Sequence, residues 1–451
     1  MRFLRGHGGA ACAALLAAQT VVGITLDVND PNSIKQAAST AAFKMVEYYP
    51  GNKTGGIPGL LGDPYYWWEA GGMFGALIDY WVYTGDSSYN KIVSEALLWQ
   101  VGPDKNYNPP NQSKSMGNDD QCFWAVAAMR AAEVNFQNPP PDQPQWLALA
   151  QAVFNSQTLR WDNTTCGGGL RWQVYSLEQG YTYKNAISNG CYFNLAARLA
   201  AYTGNTTYSD WATRAYEWSA NIGLISSKYE IFDGSDLNKN CSDFNQVQWT
   251  YNSGVYMHGA ATMYNFTNDD VWKQRANSLW TQASSVFFDN QVMYEVACEP
   301  RSNCNTDQLS FKGYFARWMA GSIKVAPFLE PLMKPYMQAS AKAAAAQCTG
   351  GADGITCGTH WNTGSWDGTN GVGQQISALE NFQSLLIDSI APPLSNKTGG
   401  TSVGDPSAGT GGDRNPFVPS RPITTADRAG AGILTFLVLA MLLGGACWVI
   451  I

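Results

Sequence analysis

Positive charge and histidine are both scarce in this chain. Lys and Arg total 28 against 35 Asp and Glu, a formal charge of −7. That balance excludes a basic surface for nucleic acid. Three histidines in 451 residues, one of them His7 near the start, argue against a zinc site. No metal or other cofactor is expected. Residues 167–169 carry the glycines of a phosphate cradle but lack the Lys-Ser/Thr of a P-loop, which removes nucleotide binding. Long strands are missing as well, and only short β pieces, such as 170–174, are expected.

Aromatic residues, in contrast, are abundant. They make up 13% of the chain, with 17 Trp and 22 Tyr, while charged residues make up only 14%. Such rings fill cores, and they also stack on the apolar face of a pyranose. Residues 1–23 have Arg2 and Arg5, an apolar stretch and a small residue at Gly23, the pattern of a secretory signal. Residues 24–392 form the body, of a length that suits one large domain. Residues 393–428 are rich in Ser, Thr, Gly and Pro and read as a disordered tether. An apolar tail, 429–451, ends the sequence with no basic segment after it, so a GPI-anchor signal fits better than a membrane span. Attachment points are open between small-residue clusters at 411–413 and 424–427.

Of ten cysteines, Cys12 falls in the signal and Cys447 in the tail, leaving eight in the body. An even number in a secreted protein implies disulfides. Cys298 and Cys304 can close one small loop, and Cys348 and Cys357 another. Cys122, Cys166, Cys191 and Cys241 cannot be paired from spacing. Sequons at Asn52, Asn111, Asn163, Asn205, Asn240, Asn265 and Asn396 agree with the secretory route.

Three segments repeat one plan: an apolar helix rich in Ala and aromatics, a short polar turn, then a more amphipathic helix. Their turns are Tyr83-Thr84-Gly85-Asp86, Tyr202-Thr203-Gly204-Asn205 and Tyr264-Asn265 with Asp269-Asp270. A helix apolar nearly all round is buried on both sides, and one charged on a single face lies outside. Residues 120–135 and 308–324 fit further inner helices, 145–158 an outer one, and 373–387 the last inner one. Inner and outer helices in alternation predict an all-α (α/α)6 toroid.

The stretch Gly117-Asn118-Asp119-Asp120 ends in a helix start, directly before buried-type Phe123 and Trp124. One Asp there would cap the helix. Two adjacent carboxylates do more, because they repel and separate in pKa. Glycoside cleavage needs one carboxylate as nucleophile or base and one carboxylic acid for the leaving oxygen. Adjacent residues diverge by about 100° around a helix, so both can face one cleft only at its mouth. Their closeness favours retention over inversion.

Six stretches, in order, then carry a family resemblance. They are Trp67-Trp68-Glu69-Ala70-Gly71-Gly72, Gly117-Asn118-Asp119-Asp120 and Cys166-Gly167-Gly168-Gly169-Leu170-Arg171-Trp172. Tyr183-Lys184-Asn185 through Gly190, Trp249-Thr250-Tyr251-Asn252, and Trp366-Asp367-Gly368-Thr369-Asn370 complete the set. The chain resembles fungal members of glycoside hydrolase family seventy-six, endo-α-1,6-mannanase-like cell-wall proteins of the filamentous-growth type. The resemblance implies an (α/α)6 barrel and retaining action on α-1,6-linked mannose, with Asp119 as nucleophile and Asp120 as acid/base. It also implies a GPI anchor on the outer leaflet and in the wall. The mannose core of GPI anchors would be the donor and cell-wall β-glucan the acceptor.

Asn118, Lys184, Asn185, Asn189, Tyr251 and Asn252 stand just before or at inner helices and are candidates for sugar binding, as are Trp68, Trp172 and Trp366. Asp233 and Asp367, each before a Gly, are candidates for hydroxyl contacts, although Asp-Gly is also an ordinary turn. A wall-bound mannan-binding protein without turnover is the alternative of another class. The intact Asp119–Asp120 pair favours the enzyme.

Overall fold

The repeated hairpins close into a ring. The computed structural model describes residues 23–411 and 424–450, with side chains to Leu443 in the last segment. In its body the helices run α1 (Pro31–Glu47), α2 (Trp67–Thr84), α3 (Asn90–Trp99), α4 (Asn118–Glu133), α5 (Trp146–Leu159) and α6 (Ala186–Thr203). They continue as α7 (Thr206–Ile222), α8 (Thr250–Thr267), α9 (Asp270–Val286), α10 (Phe311–Val325), α11 (Glu330–Gln347) and α12 (Val372–Gln383). The even-numbered helices touch in sequence from α2 to α12, and α12 packs back on α2. α3, α5, α7 and α9 each cover the inner helix before them, while α1 and α11 lie against α12. This is the expected (α/α)6 toroid.

The three repeated hairpins turn sharply because their inner helices, α2, α6 and α8, end in a left-handed residue. Gly85 and Gly204 have φ of 81° and 74°, and Asn268 replaces the glycine in the third repeat with φ 55°. Asn205 and Asp269 then cap α7 and α9 by accepting from the N–H groups of Thr207 and Val271. The inner helices are buried around their circumference; α2 exposes little between Trp68 and Tyr80. Trp124 of α4 is fully buried, with its ring stacked on Trp67 at 5.1 Å. Losing such a ring to Ala costs about 3–5 kcal/mol.

The inner helices all start at one opening, the mouth, and end at the other, the base. The cavity at the mouth is lined from the first turns of α2, α4, α6, α8 and α10. The one at the base is lined from the later turns of the same helices, by Asp79, Arg130, Arg198 and Lys324 among others, with His258 from the middle of α8. At the mouth, strands β1 (Tyr183–Asn185), β2 (Gly234–Asp236) and β3 (Phe244–Asn245) form a small antiparallel sheet, Asn185 opposite Gly234. A hairpin of β4 (Phe288–Asp289) and β5 (Val292–Met293) lies beyond α9.

All eight body cysteines are paired: Cys122–Cys191, Cys166–Cys241, Cys298–Cys304 and Cys348–Cys357. The first ties α4 to α6 and the second closes the Gly-rich loop over the small sheet. The seven sequon asparagines are all exposed.

Several expectations change. Residues 170–174 form no strand but one bridge, Gln173 to Gly117, because the Asn189 side chain takes both backbone groups of Leu170. The last inner helix stops at Gln383, and 384–389 continue as a 3-10 helix. The segment expected as a tether from 393 is packed over 394–409: its backbone bonds to Glu133, Tyr202, Asn135 and Gln151. Its Ser, Thr, Gly and Pro content suggests disorder, but polar side chains of α5 and of the loop before it, with carbonyls of α4 and α6, meet its backbone instead. The expected secretory signal lies almost wholly outside the described residues, as does most of the 411–413 attachment cluster. α13 (Thr425–Ile450) is an apolar helix whose stretch Thr425–Leu443 has mean hydropathy 1.7 and is unburied.

Candidate active site

Asn118 sets the geometry at the start of α4. Its N–H donates to the Trp172 carbonyl at 2.8 Å and its side-chain amide to the Arg171 carbonyl at 2.8 Å. Arg160 and Gln157, at the end of α5, donate back to its side-chain and backbone oxygens. With Asn118 locked, Asp119 and Asp120 project from the first turn into the mouth.

The two carboxyls are held differently. Asp119 is 6% exposed, and its Oδ2 accepts from Asn185 Nδ2 at 2.8 Å while Oδ1 accepts from the Asp120 N–H at 2.9 Å. Asp120 Oδ2 accepts from the Gly117 N–H at 2.7 Å. A Cβ at Gly117 would lie 2.1 Å from Asp119 Oδ1 and 3.1 Å from Asp120 Oδ2, so a side chain there would strike the pair. These distances also put the two oxygens no more than about 5 Å apart, short of the wider gap that inverting glycosidases keep for a water.

Burial pushes the Asp119 carboxyl up to about 6, against the hydrogen bonds from Asn185 and the Asp120 N–H. Burial raises Asp120 well above the usual range, and the neighbouring Asp119 charge raises it further. The amide at Asp119 favours its anion. The proton of the pair therefore stays on Asp120.

The pair sits where two cavities meet. One, of about 220 Å³, is lined by Asp119, Asp120, Asn185, Tyr183, Asp233, Trp249, Tyr251 and Phe311. The other, of about 260 Å³, is lined by Tyr66, Trp67, Gln112, Ser115, Met116 and Gln173. Trp68, Asp120, Trp172 and Asp307 face both. Asp307 accepts from Trp68 Nε1 at 3.0 Å, and burial raises its carboxyl. Asp233 holds Tyr183 Oη at 2.7 Å and Trp249 Nε1 at 3.0 Å, so it braces two rings of the wall. Tyr251 lies flat on Phe311 with centroids 3.7 Å apart.

Of the candidates named from sequence, Asp119, Asp120, Trp68, Trp172, Asn185, Asp233 and Tyr251 come together here. Others line neither cavity. Lys184 Nζ turns away to the carbonyls of Asp162, Thr165 and Gly168 and orders the Gly-rich loop. Asn189 clamps Leu170, Asn118 anchors α4, and Asn252 is buried within the wall of the ring. Asp367 caps the 358–360 turn by accepting from the N–H groups of Thr359 and His360, and Trp366 donates to the Thr369 carbonyl. Apart from Asn252, whose buried amide meets no hydrogen-bond partner among the described residues, each satisfies the backbone of a loop rather than the cleft. Asp307, Tyr183, Trp249 and Phe311 were missed, although they sit just before or at inner-helix starts, the place that marked Tyr251.

The model of the family described as glycosyl hydrolase family 76 matches residues 33–397. The chain belongs to glycosyl hydrolase family 76. Among family relatives, the mannan endo-1,6-alpha-mannosidase DCW1 of Eremothecium gossypii is 47% identical over 98% of both chains. The protein of the same name from Saccharomyces cerevisiae is 45% identical over 97% of each. The crystal structure of Dfg5 from Chaetomium thermophilum in complex with glucosamine superposes with TM-score 0.83 at 45% identity, covering 85% of this chain and 97% of that one. The α-1,6-mannanase of Salegentibacter shares the fold at 18% identity and TM-score 0.63, over 78% of this chain and 98% of that one. The chain is thus a glycosidase of this family.

Proposed function

We propose that the protein is a retaining endo-acting α-1,6-mannosidase or transmannosidase, with Asp119 as nucleophile and Asp120 as acid/base. The observation that carries this is the junction: Asp119 faces one cavity, while Asp120 faces both. A glycan laid across the junction can run on into both cavities beyond the cleaved bond, which suits endo action. Ionised Asp119 attacks the anomeric carbon, the bond to the leaving oxygen breaks, and Asp120 gives that oxygen its proton. Asp120, now ionised, takes a proton from water or an acceptor hydroxyl, whose oxygen displaces Asp119 from the anomeric carbon. The relatives' names supply the sugar and linkage. An inactive variant of the Salegentibacter mannanase, solved with α-1,6-mannotetrose, has two aspartates replaced.

The donor we propose is the α-mannose core of a GPI anchor, and the acceptor is cell-wall β-glucan. An enzyme secreted and held at the outer leaflet by its own GPI anchor would meet both, and the unburied apolar helix α13 suits such an anchor signal. The test is incubation with a GPI-core mannoside and labelled β-glucan oligomers. Mannosylated glucan is the expected product. Free mannoside alone would make the protein a hydrolase, and no cleavage of any α-1,6-mannoside would refute the assignment.

A further inference from the structure

In the cavity at the base, cations outnumber carboxylates. Arg130, Arg198, Arg317 and Lys324 line it, four positive charges against Asp79 and Glu133 in the wall and Glu380 behind Arg317. Lys324 carries the surplus. Its Nζ donates to the Ile387 carbonyl at 3.2 Å and makes no ion pair among the described residues.

The hydrogen bonds are one-sided in the same sense. Both oxygens of Asp79 are taken, by Arg130 Nε at 2.6 Å and by Arg317 Nε at 3.3 Å. Arg198 takes both oxygens of Glu133 through Nε and Nη2. Arg317 reaches Glu380 through Nε and Nη2, and Nη2 also donates to the Gly72 carbonyl. Both Nη of Arg130, and Nη1 of Arg198 and of Arg317, are left over, on side chains no more than 16% exposed. A buried N–H without an acceptor is costly.

His258 adds one more donor. Asn194 Nδ2 donates to the Val255 carbonyl at 3.1 Å and faces His258 Nδ1 at 3.0 Å. The carbonyl fixes the amide nitrogen on this side, and an amide nitrogen only donates, so Nδ1 accepts. Burial and the nearby arginines keep the imidazole neutral, so its hydrogen sits on Nε2. That nitrogen lies beside Gly321, also in the cavity wall, where a Cβ would be 2.8 Å from it.

We infer that the base cavity binds one small monovalent anion, a halide in size, held by the spare guanidinium nitrogens, Lys324 and His258 Nε2. One such anion cancels the surplus charge and supplies the acceptor that these donors lack. A cavity of about 40 Å³ holds a halide with a water or two and is too small for a sugar phosphate. Asp79, Arg130, Arg198, His258 and Arg317 come one each from α2, α4, α6, α8 and α10. The anion therefore ties five inner helices together at the end of the ring opposite the cleft, and its role is stability rather than chemistry.

The test is thermal unfolding of the full-length protein in detergent solution, with gluconate, too large for the cavity, exchanged for chloride or bromide at constant ionic strength. Tm should rise by about 2 °C for each tenfold rise in halide once the site fills. In crystals soaked in bromide, anomalous density should lie at hydrogen-bond distance from Arg130 and Arg198. Lys324→Met should lose the halide-dependent rise and still hydrolyse a soluble α-1,6-mannoside at the wild-type rate. Equal Tm in gluconate and halide would overturn the inference, since water alone then fills the cavity. A bromide peak without a halide-dependent Tm would mean an adventitious ion only and would overturn it too. So would a halide-dependent Tm with no bromide at the base, or a folded Lys324→Met that keeps the full response. Should that variant fail to fold, the wild-type unfolding and bromide measurements decide the matter.

Discussion

The two ends of the toroid handle charge in opposite ways, unpaired carboxyls at one and ion pairs at the other. At the mouth, Glu69, Asp119, Asp120 and Asp307 gather at the N-terminal ends of inner helices, whose dipoles present partial positive charge. At the base, Arg130, Arg198 and Arg317 gather toward the C-terminal ends, where the dipole favours cations. Each base arginine is paired. Arg130 meets Asp79 at 2.6 Å, Arg198 grips Glu133 with two bonds of 2.8 and 2.7 Å, and Arg317 reaches Glu380 at 2.6 Å. None of the four mouth carboxylates has an ion-pair partner among the described residues, and burial raises all four pKa values, Glu69 to about 8. Paired charges make a structural plug; unpaired carboxyls hold protons that can be moved. The same helices thus carry stability at one end and chemistry at the other.

Neutralising the mouth should break this contrast most strongly. Asp119→Asn should lower kcat/KM by at least about 10⁴-fold, and Asp120→Asn by about 10²–10⁴-fold, in an assay on an α-1,6-mannoside. Neither should unfold the protein. A pKa raised by folding means that stability is full below the unfolded value near 4 and falls as pH rises through about 6. At pH 7, Asp119→Asn should therefore raise stability by about 1–3 kcal/mol, read as a higher Tm.

The base should answer in the opposite way. Glu133→Gln leaves Arg198 buried with half a partner, which costs about 3–5 kcal/mol and lowers Tm, with kcat of the folded enzyme unchanged. A fall in kcat with unchanged Tm would erase the distinction between the ends. Gly117→Ala should lower kcat about 10–100-fold while moving Tm little, because the added Cβ meets carboxylate oxygens rather than core.

The smallest effect is in the pH profile. kcat/KM should rise through about pH 6 as Asp119 ionises and fall at higher pH as Asp120 loses its proton. Asn185→Ala removes the amide that favours the Asp119 anion, so the acid limb should move to higher pH by about 0.5–1 unit. An unmoved limb would show that Asn185 only shapes the wall.

Much of the architecture was legible because it rests on local rules. Apolar helices followed by Thr-Gly-Asp or Thr-Gly-Asn turns spell hairpins, and the adjacent aspartates before Phe123 and Trp124 mark a helix start aimed at a cleft. Helices α1 and α11 were not read. α1 carries an apolar stripe made largely of Ala, and α11 contains Pro335, so neither has a strong periodic signal. Lys184, Asn189 and Asp367 look like ligand groups in sequence, yet each is consumed by backbone carbonyls or N–H groups of a loop.

By itself, then, the sequence determined the hairpin period, the family, the even set of body cysteines and the Asp119–Asp120 pair, all carried by neighbours along the chain. Tertiary structure alone decided the Cys122–Cys191 and Cys166–Cys241 pairings, the recruitment of Asp307 to the cleft, and the packing of the 394–409 segment. The physical reason is distance: those contacts join residues from about 70 to more than 250 positions apart, and only closing the ring brings them within bonding reach.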